Sequence, residues 1–417
     1  GDMTYKQRNN LLHDMTDSVA NLVLQNNYLQ TQALSIALSL APSLLNVHTR
    51  LLRYLENNGH LDRELEFLPN NKVLAERKTN QQGLNSPELC VLIAYSKITL
   101  YQALLESDLP EDPYFQTVLT NYFPSQLSEH FTTEISQHPL HREIIATIAT
   151  NMVVNRASGV FVFLLNEETG QTSPDIVRAF MVAWEIFAMQ SLWQEIEALD
   201  NQVNVQVQIS MMIDARKQVE RVSRWLLRHH HLDILQSIDL LRPGVIKLTE
   251  KLASLIDETD KKNLDIAVSH LVEAGVPKAL AIRVNSLPLL LPALDIIEIA
   301  SNTEVDLEHV AILYFRLGTE FNLGWLFNKI SELSRDTRWT SLSRSALRDE
   351  LYNTHRKLTI VVLRTDATEP QAQLKTWMEQ KQVCITRCQQ VLADVNNIEN
   401  LDLSVLSVAL REIRNLL

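Results

Sequence analysis

The residues that could do chemistry are few and poorly gathered. His130, Glu134 and His138 fall at i, i+4 and i+8, which on one continuous helix would set three metal-ligating side chains on one face. Pro139 follows at once and turns His138 away from helical geometry, and the order is not the His-Glu-x-x-His of a zinc protease. A polar surface face is therefore expected there. His229-His230-His231 would point in three directions on a helix. Beside this run Arg221, Arg224 and Arg228 make a basic stripe near a helix C-terminus, where the backbone dipole favours cations. The stripe reads as a solvated helix end first, and as an anion or acidic-partner site second. Cys384 and Cys388 lie one helical turn apart, not at the two-residue gap of zinc or redox motifs, and suit buried small hydrophobes. Trp184, Trp193, Trp225, Trp325, Trp339 and Trp377 sit in amphipathic patterns, so core packing is their expected role. The chain has no Gly-x-Gly-x-x-Gly, no phosphate loop and no Gly-x-Ser-x-Gly elbow.

The elements that would position these groups are helices. The 417 residues suggest two to three domains at roughly 150 residues each. Only 9 are glycine, where average usage of roughly 7 % would give about 29. That scarcity argues against Rossmann phosphate loops and stacked hairpins, and for an all-α bundle or array. The net charge of −12 gives no global surplus of cations for a nucleic-acid backbone. Three cysteines fit free thiols in a reducing compartment. No segment offers about 18 uninterrupted apolar residues; the nearest, 287–299, is cut by Pro288, Pro292, Asp295 and Glu298. A cytoplasmic chain with no membrane and no nucleic-acid partner is expected, and its start at Gly1 reads as a piece of something longer.

Helix starts are marked by Ser86-Pro87-Glu88, Asp112-Pro113 and Ser173-Pro174-Asp175, each a capping oxygen before a proline. Stops are marked at Gly59, Gly83, Gly170 and Gly275. The alternation Val203–Ile209 runs into a helical pattern without a turn residue and reads as a helix start. Residues 163–227 and 295–358 share a pattern at an offset of 132 or 133, which places Trp193 against Trp325 and points to a duplicated helical unit. The predicted divisions are 1–35, 36–160, 161–364 and a C-terminal helical pair at 365–417.

Several ordered blocks carry a resemblance. They are Arg8-Asn9-Asn10-Leu11-Leu12 with Met15-Thr16-Asp17 and Val19-Ala20; Gly83-Leu84 with Pro87-Glu88-Leu89; Arg142-Glu143-Ile144-Ile145; Glu167-Glu168-Thr169-Gly170; Arg224-Trp225-Leu226-Leu227-Arg228; and Leu406-Ser407-Val408-Ala409-Leu410-Arg411-Glu412. Together they resemble the C-terminal helical region of the large bacterial NAD-specific glutamate dehydrogenases. Ser18, Gln25-Asn26 and Cys90 depart from the pattern without disturbing it.

The resemblance implies a parent enzyme that oxidatively deaminates L-glutamate to 2-oxoglutarate and ammonia with NAD. The glutamate cleft and dinucleotide site would lie upstream of residue 1. No catalytic, cofactor or metal residue is therefore carried over to this chain. The implied partners are the enzyme's own catalytic domain and further copies in a homo-oligomer. Two roles follow: a helical brace for the catalytic domain or oligomer, or a regulatory module that binds an effector or partner. For the brace, the expected interface is Arg8, Asn9, Leu12, Met15 and Val19, because Leu11, Leu12, Met15, Val19, Leu22 and Val23 make a stripe too wide for one seam.

Overall fold

The structure is a computed structural model and describes residues 3–229, 232–399 and 401–417. All its regular elements are helical, with no strand among the described residues. The first helices are α1 (Tyr5–Asp14), α2 (Thr16–Asn57), α3 (Asn71–Thr79), α4 (Ser86–Leu105), α5 (Tyr114–Tyr122), α6 (Ser125–Ser128), α7 (Thr132–Ser136) and α8 (His141–Arg156). Next come α9 (Phe161–Thr169), α10 (Ser173–Ile186), α11 (Met189–Glu197), α12 (Val205–His229), α13 (Ile234–Leu255), α14 (Glu258–Glu273) and α15 (Lys278–Leu290). The chain closes with α16 (Ala293–Thr303), α17 (Leu307–Glu320), α18 (Leu323–Glu332), α19 (Arg338–Leu363), α20 (Pro370–Gln380), α21 (Gln382–Asn396) and α22 (Leu403–Arg414). It divides into two compact units, residues 1–184 with 219–237, and 185–218 with 238–417.

The first unit is organised on α2, whose 42 residues give a rod about 63 Å long. Its C-terminal half buries Leu45, Leu51, Leu52 and Leu55 against Leu74 of α3, Leu89 and Leu92 of α4, and Leu164 of α9. Each such side chain contributes roughly 1.5–3 kcal/mol on burial. Gly83 is not the helix stop its type suggests: α3 ends at Thr79, and Gln81 takes the left-handed turn with φ of 54°. Gly83 instead allows a close approach, since a Cβ there would lie 2.3 Å from the backbone carbon of Ala41.

Two predicted caps shift by one residue. Asn85, not Ser86, accepts the N–H of Glu88, and the Glu88 carboxylate accepts the N–H of Asn85 in return. The reciprocal box needs a Glu three residues after the cap, and only Asn85 has it. Likewise Thr172, ahead of Ser173, accepts from Asp175 at 3.4 Å. Asp112 accepts from Tyr114 at 3.0 Å, as its position predicts.

Alone among the described helices, α4 is by itself long and apolar enough to cross a membrane; three bent helix pairs also qualify when each is taken as one span. Its apolar run is interrupted by Glu88, Ser96, Lys97 and Thr99. Here Glu88 pairs with Arg77, Lys97 donates to Asn151, and the helix packs on α2 and α8.

The second unit gathers Leu313, Leu317 and Phe321 of α17, Leu326 of α18, Leu358 of α19, Trp377 of α20, Cys388 of α21 and Leu410 of α22 into one core. The helical pair predicted over 365–417 is three helices, because the stretch from Pro370 to Asn396 is broken at Lys381 into α20 and α21. The break lets Trp377 meet Phe321 edge-on, with ring centroids 6.1 Å apart, while Cys388 and Leu392 stay in the same core.

The helix order of the proposed duplication recurs. α9 to α12 have 9, 14, 9 and 25 residues; α16 to α19 have 11, 14, 10 and 26.

Candidate functional site

The basic stripe does not form an open site. Arg224 is buried on α12, and its guanidinium lies 2.6 Å from Glu168 at the end of α9 and 2.8 Å from Glu220. Burial would lower its pKa, but the two carboxylates outweigh that and hold it above the ordinary arginine value. Arg228 goes the other way: burial and the neighbouring Arg224 bring it to about 10. Arg221 is half-buried with a partner of its own. A stripe on a helix end is solvated only if the facing helix leaves it uncovered, and α9 supplies Glu168 there. Of the histidine run, His230 and His231 lie outside the described residues.

Glu167, beside Glu168, takes Arg50 of α2 through two hydrogen bonds of 3.1 and 2.9 Å. Adjacent carboxylates at the end of α9 thus hold α2 and α12. Gly170 closes this turn in the left-handed conformation, with φ of 72°. Such pairs fix helix positions, each guanidinium fork meeting a carboxylate.

His130 and Glu134 are exposed; His130 lies in the turn after α6, Glu134 on α7 and His138 in the segment after α7, so the three share no helix face. No cluster of three metal-ligating side chains occurs among the described residues. Cys384 is exposed; Cys388 is buried and its thiol is pushed up to about 12 by burial and by Glu412.

In the second unit a buried chain of polar groups runs between α16, α17 and α19. Tyr314 donates its hydroxyl to Asp295 at 2.8 Å, and His355 stacks on Tyr314 with its Nε2 2.9 Å from the Tyr314 carbonyl. Arg356 pairs with Glu298 at 2.6 Å and lies 3.9 Å from Asp295. Burial and Asp295 raise the Tyr314 hydroxyl well above its usual range. These groups spend their bonding capacity on one another. The same unit carries an open groove of about 730 Å³ lined by Trp325, Trp339, Leu333, Ile398, Lys329 and Glu399. Trp339, expected in the core, is 74 % exposed at its wall.

At the N-terminal end Leu12, Val19, Leu22, Val23 and Leu24 are exposed, as are Arg8 and Asn9. Met15 departs from the expected interface: it is only 8 % exposed and marks the break between α1 and α2. The N-terminal segment is therefore two helices, the second continuing to Asn57.

Comparison with known proteins addresses this same segment. A family described as bacterial NAD-glutamate dehydrogenase, catalytic domain, matches residues 1–37, and one described as glutamate dehydrogenase, C-terminal, matches residues 81–415. NAD-specific glutamate dehydrogenases of Halomonas elongata, Pseudomonas aeruginosa and Mycobacterium tuberculosis are similar to the chain along its whole length, at 36, 37 and 34 % identity. The chain spans 26 % of the length of each. With most of its helical array inside that match, the chain belongs to the glutamate dehydrogenase C-terminal family.

Proposed function

We propose that this chain is the non-catalytic helical region of an NAD-specific glutamate dehydrogenase, and that it braces the catalytic domain through α1 and the first half of α2. The full-length enzyme would convert L-glutamate and NAD to 2-oxoglutarate, ammonia and NADH, with glutamate and NAD held outside these 417 residues. The observation that carries the bracing role is the coincidence of two boundaries. The exposed apolar face Leu12, Val19, Leu22, Val23 and Leu24 falls inside the segment matched by the catalytic-domain family. Each of these side chains forgoes roughly 1.5–3 kcal/mol while bare, so a covering surface is favoured. The Glu167–Arg50 pair fastens the far, C-terminal half of the same rod to α9. We extend the reading to a cytoplasmic homo-oligomer with no membrane or nucleic-acid partner.

A second reading, an effector-binding module, draws on the tryptophan-lined groove of the second unit, whose size falls in the range of ligand pockets. The test uses the full-length enzyme with Leu12→Asp and Leu22→Asp. Glutamate-dependent NAD reduction should fall at least tenfold while the thermal stability of the 417-residue chain barely changes; that chain alone should reduce no NAD. Unfolding of the chain by the same substitutions, or unchanged activity of the enzyme, would refute the bracing role.

A further inference from the structure

The loop 58–70 between α2 and α3 is fastened along its length, yet it turns two large apolar side chains outward. Leu61 and Leu68 are buried in the core of the first unit. The buried Arg63 guanidinium pairs with Glu56 at 2.5 Å and donates to Asn71. Asp62 accepts the N–H groups of Glu64 and Leu65, and Tyr95 of α4 donates its hydroxyl to Glu66 at 2.7 Å. Between these ties Leu65 is 75 % and Phe67 92 % exposed. Phe67 also has φ of 53°, in the left-handed region that sterics leave mainly to Gly and Asn. An aromatic residue there is disfavoured in its backbone and gains no packing within this chain. Strained, rigidly held positions of this kind collect at ligand clamps and functional sites. The Tyr95–Glu66 bond brings the loop against α4, which presents Cys90, Ala94 and Ile98 to solvent at one-turn intervals. This is the helix with the span-like composition, and only 28 % of its apolar window is buried.

We propose that Leu65, Phe67 and the Cys90–Ala94–Ile98 face of α4 form a second docking surface for the part of the full-length enzyme outside these residues, received in an apolar socket with a cationic rim. The proposal rests on the reading of the chain as one region of a larger glutamate dehydrogenase. Charge selects against two other occupants. Asp62 and Glu64 are exposed beside Leu65 and Phe67, so meeting the same face of a second copy, or an anionic bilayer, sets like charges together. Size and reach favour the chosen one. With 26 % of the relatives' length in hand, about 1,200 residues lie elsewhere, enough for a radius of gyration of about 33 Å if compact. From residue 37, where the catalytic-domain match ends, to Asn57 the helix rises only about 30 Å. One body can therefore touch both ends.

The experiment places a photo-crosslinking amino acid at position 67 of the purified full-length enzyme and, in a separate preparation, at position 22. Position 67 should give a crosslink that peptide mass mapping locates outside these 417 residues, among apolar residues flanked by Lys or Arg. No crosslink, or one to the same loop of another copy or to lipid, overturns the proposal. A crosslink from position 22 without one from 67 removes only this inference; failure at both removes the bracing role as well. Phe67→Gly supplies a second readout. It relaxes the left-handed backbone, so the melting temperature of the 417-residue chain should hold or rise, while that of the full-length enzyme should fall by several degrees. Equal shifts in both proteins would overturn the docking role.

Discussion

Acidification from about pH 7 to about pH 4.5 should destabilise this chain through His48 and His355, and replacing His48 should remove about half of that effect. His48 lies in the buried face of α2 with its Nδ1 atom unpartnered, and burial lowers its pKa to about 4. His355 on α19 is lowered to about 4 by burial as well, against the raising effect of the Tyr314 carbonyl. In the unfolded chain both should titrate near about 6.5. A folded pKa below the unfolded one means that the unfolded state binds more protons between the two values. Stability is then complete above about pH 6.5 and falls as the pH drops toward 4. A shift of about 2.5 units corresponds to roughly 3 kcal/mol per histidine over the full window, against a total of about 5–15 kcal/mol for an ordinary domain. Urea unfolding at closely spaced pH values measures this. His48→Leu should change stability little at pH 7, because it removes an unpaired polar atom, and should flatten the acid limb. An acid limb parallel to that of the unmodified chain would show that His48 is not held neutral by burial.

Further substitutions test how the helices of the two units are held. Arg224→Met should cost about 3–5 kcal/mol, because it removes a buried charge partner 2.6 Å from Glu168, and pairing it with Glu168→Leu should recover most of the loss in urea unfolding. Gly83→Ala should cost about 1–3 kcal/mol by forcing a methyl group against the Ala41 backbone, whereas Gly324→Ala on α18, with nothing within 4 Å, should gain about 0.5–1 kcal/mol in thermal unfolding.

The parts of the fold written in local chemistry were legible in the sequence. Gly59, Gly170 and Gly275 all adopt the positive φ expected of helix stops, and the Val203–Ile209 alternation does open a helix, with Asn204 capping Gln206. What escaped depends on partners distant in sequence. Periodicity placed Arg221, Arg224 and Arg228 on one stripe but could not show that Glu168, 56 residues before Arg224, would cover it. It put Trp339 in an amphipathic pattern without saying which side of α19 faces the core. The loop holding Phe67 left almost no trace, since its outward side chains follow from an Asp62 turn and from a bond to Tyr95, 29 residues beyond Glu66.

Left-handed backbone turns accompany the recurring helix order in both segments. Ala188, before α11, has φ of 48° and ψ of 45°; Asn322, before α18, has 48° and 41°. Gly170 ends α9 in the left-handed region at φ of 72°, and Glu304 ends α16 there at 55°. Both pairs are 134 residues apart. Left-handed residues other than glycine are uncommon, so two matching pairs at one spacing are hard to obtain from helix packing in general. The spacing also corrects the register expected from the tryptophans: at 134 residues Met189, Leu192 and Ile196 align with Leu323, Leu326 and Ile330, all buried, while Trp193 aligns with Phe327 rather than Trp325. The backbone turns that position the helices share one spacing, and the tryptophans do not. Helices held by such turns and by buried ion pairs suit a part that keeps geometry, which is the property the proposed bracing role requires.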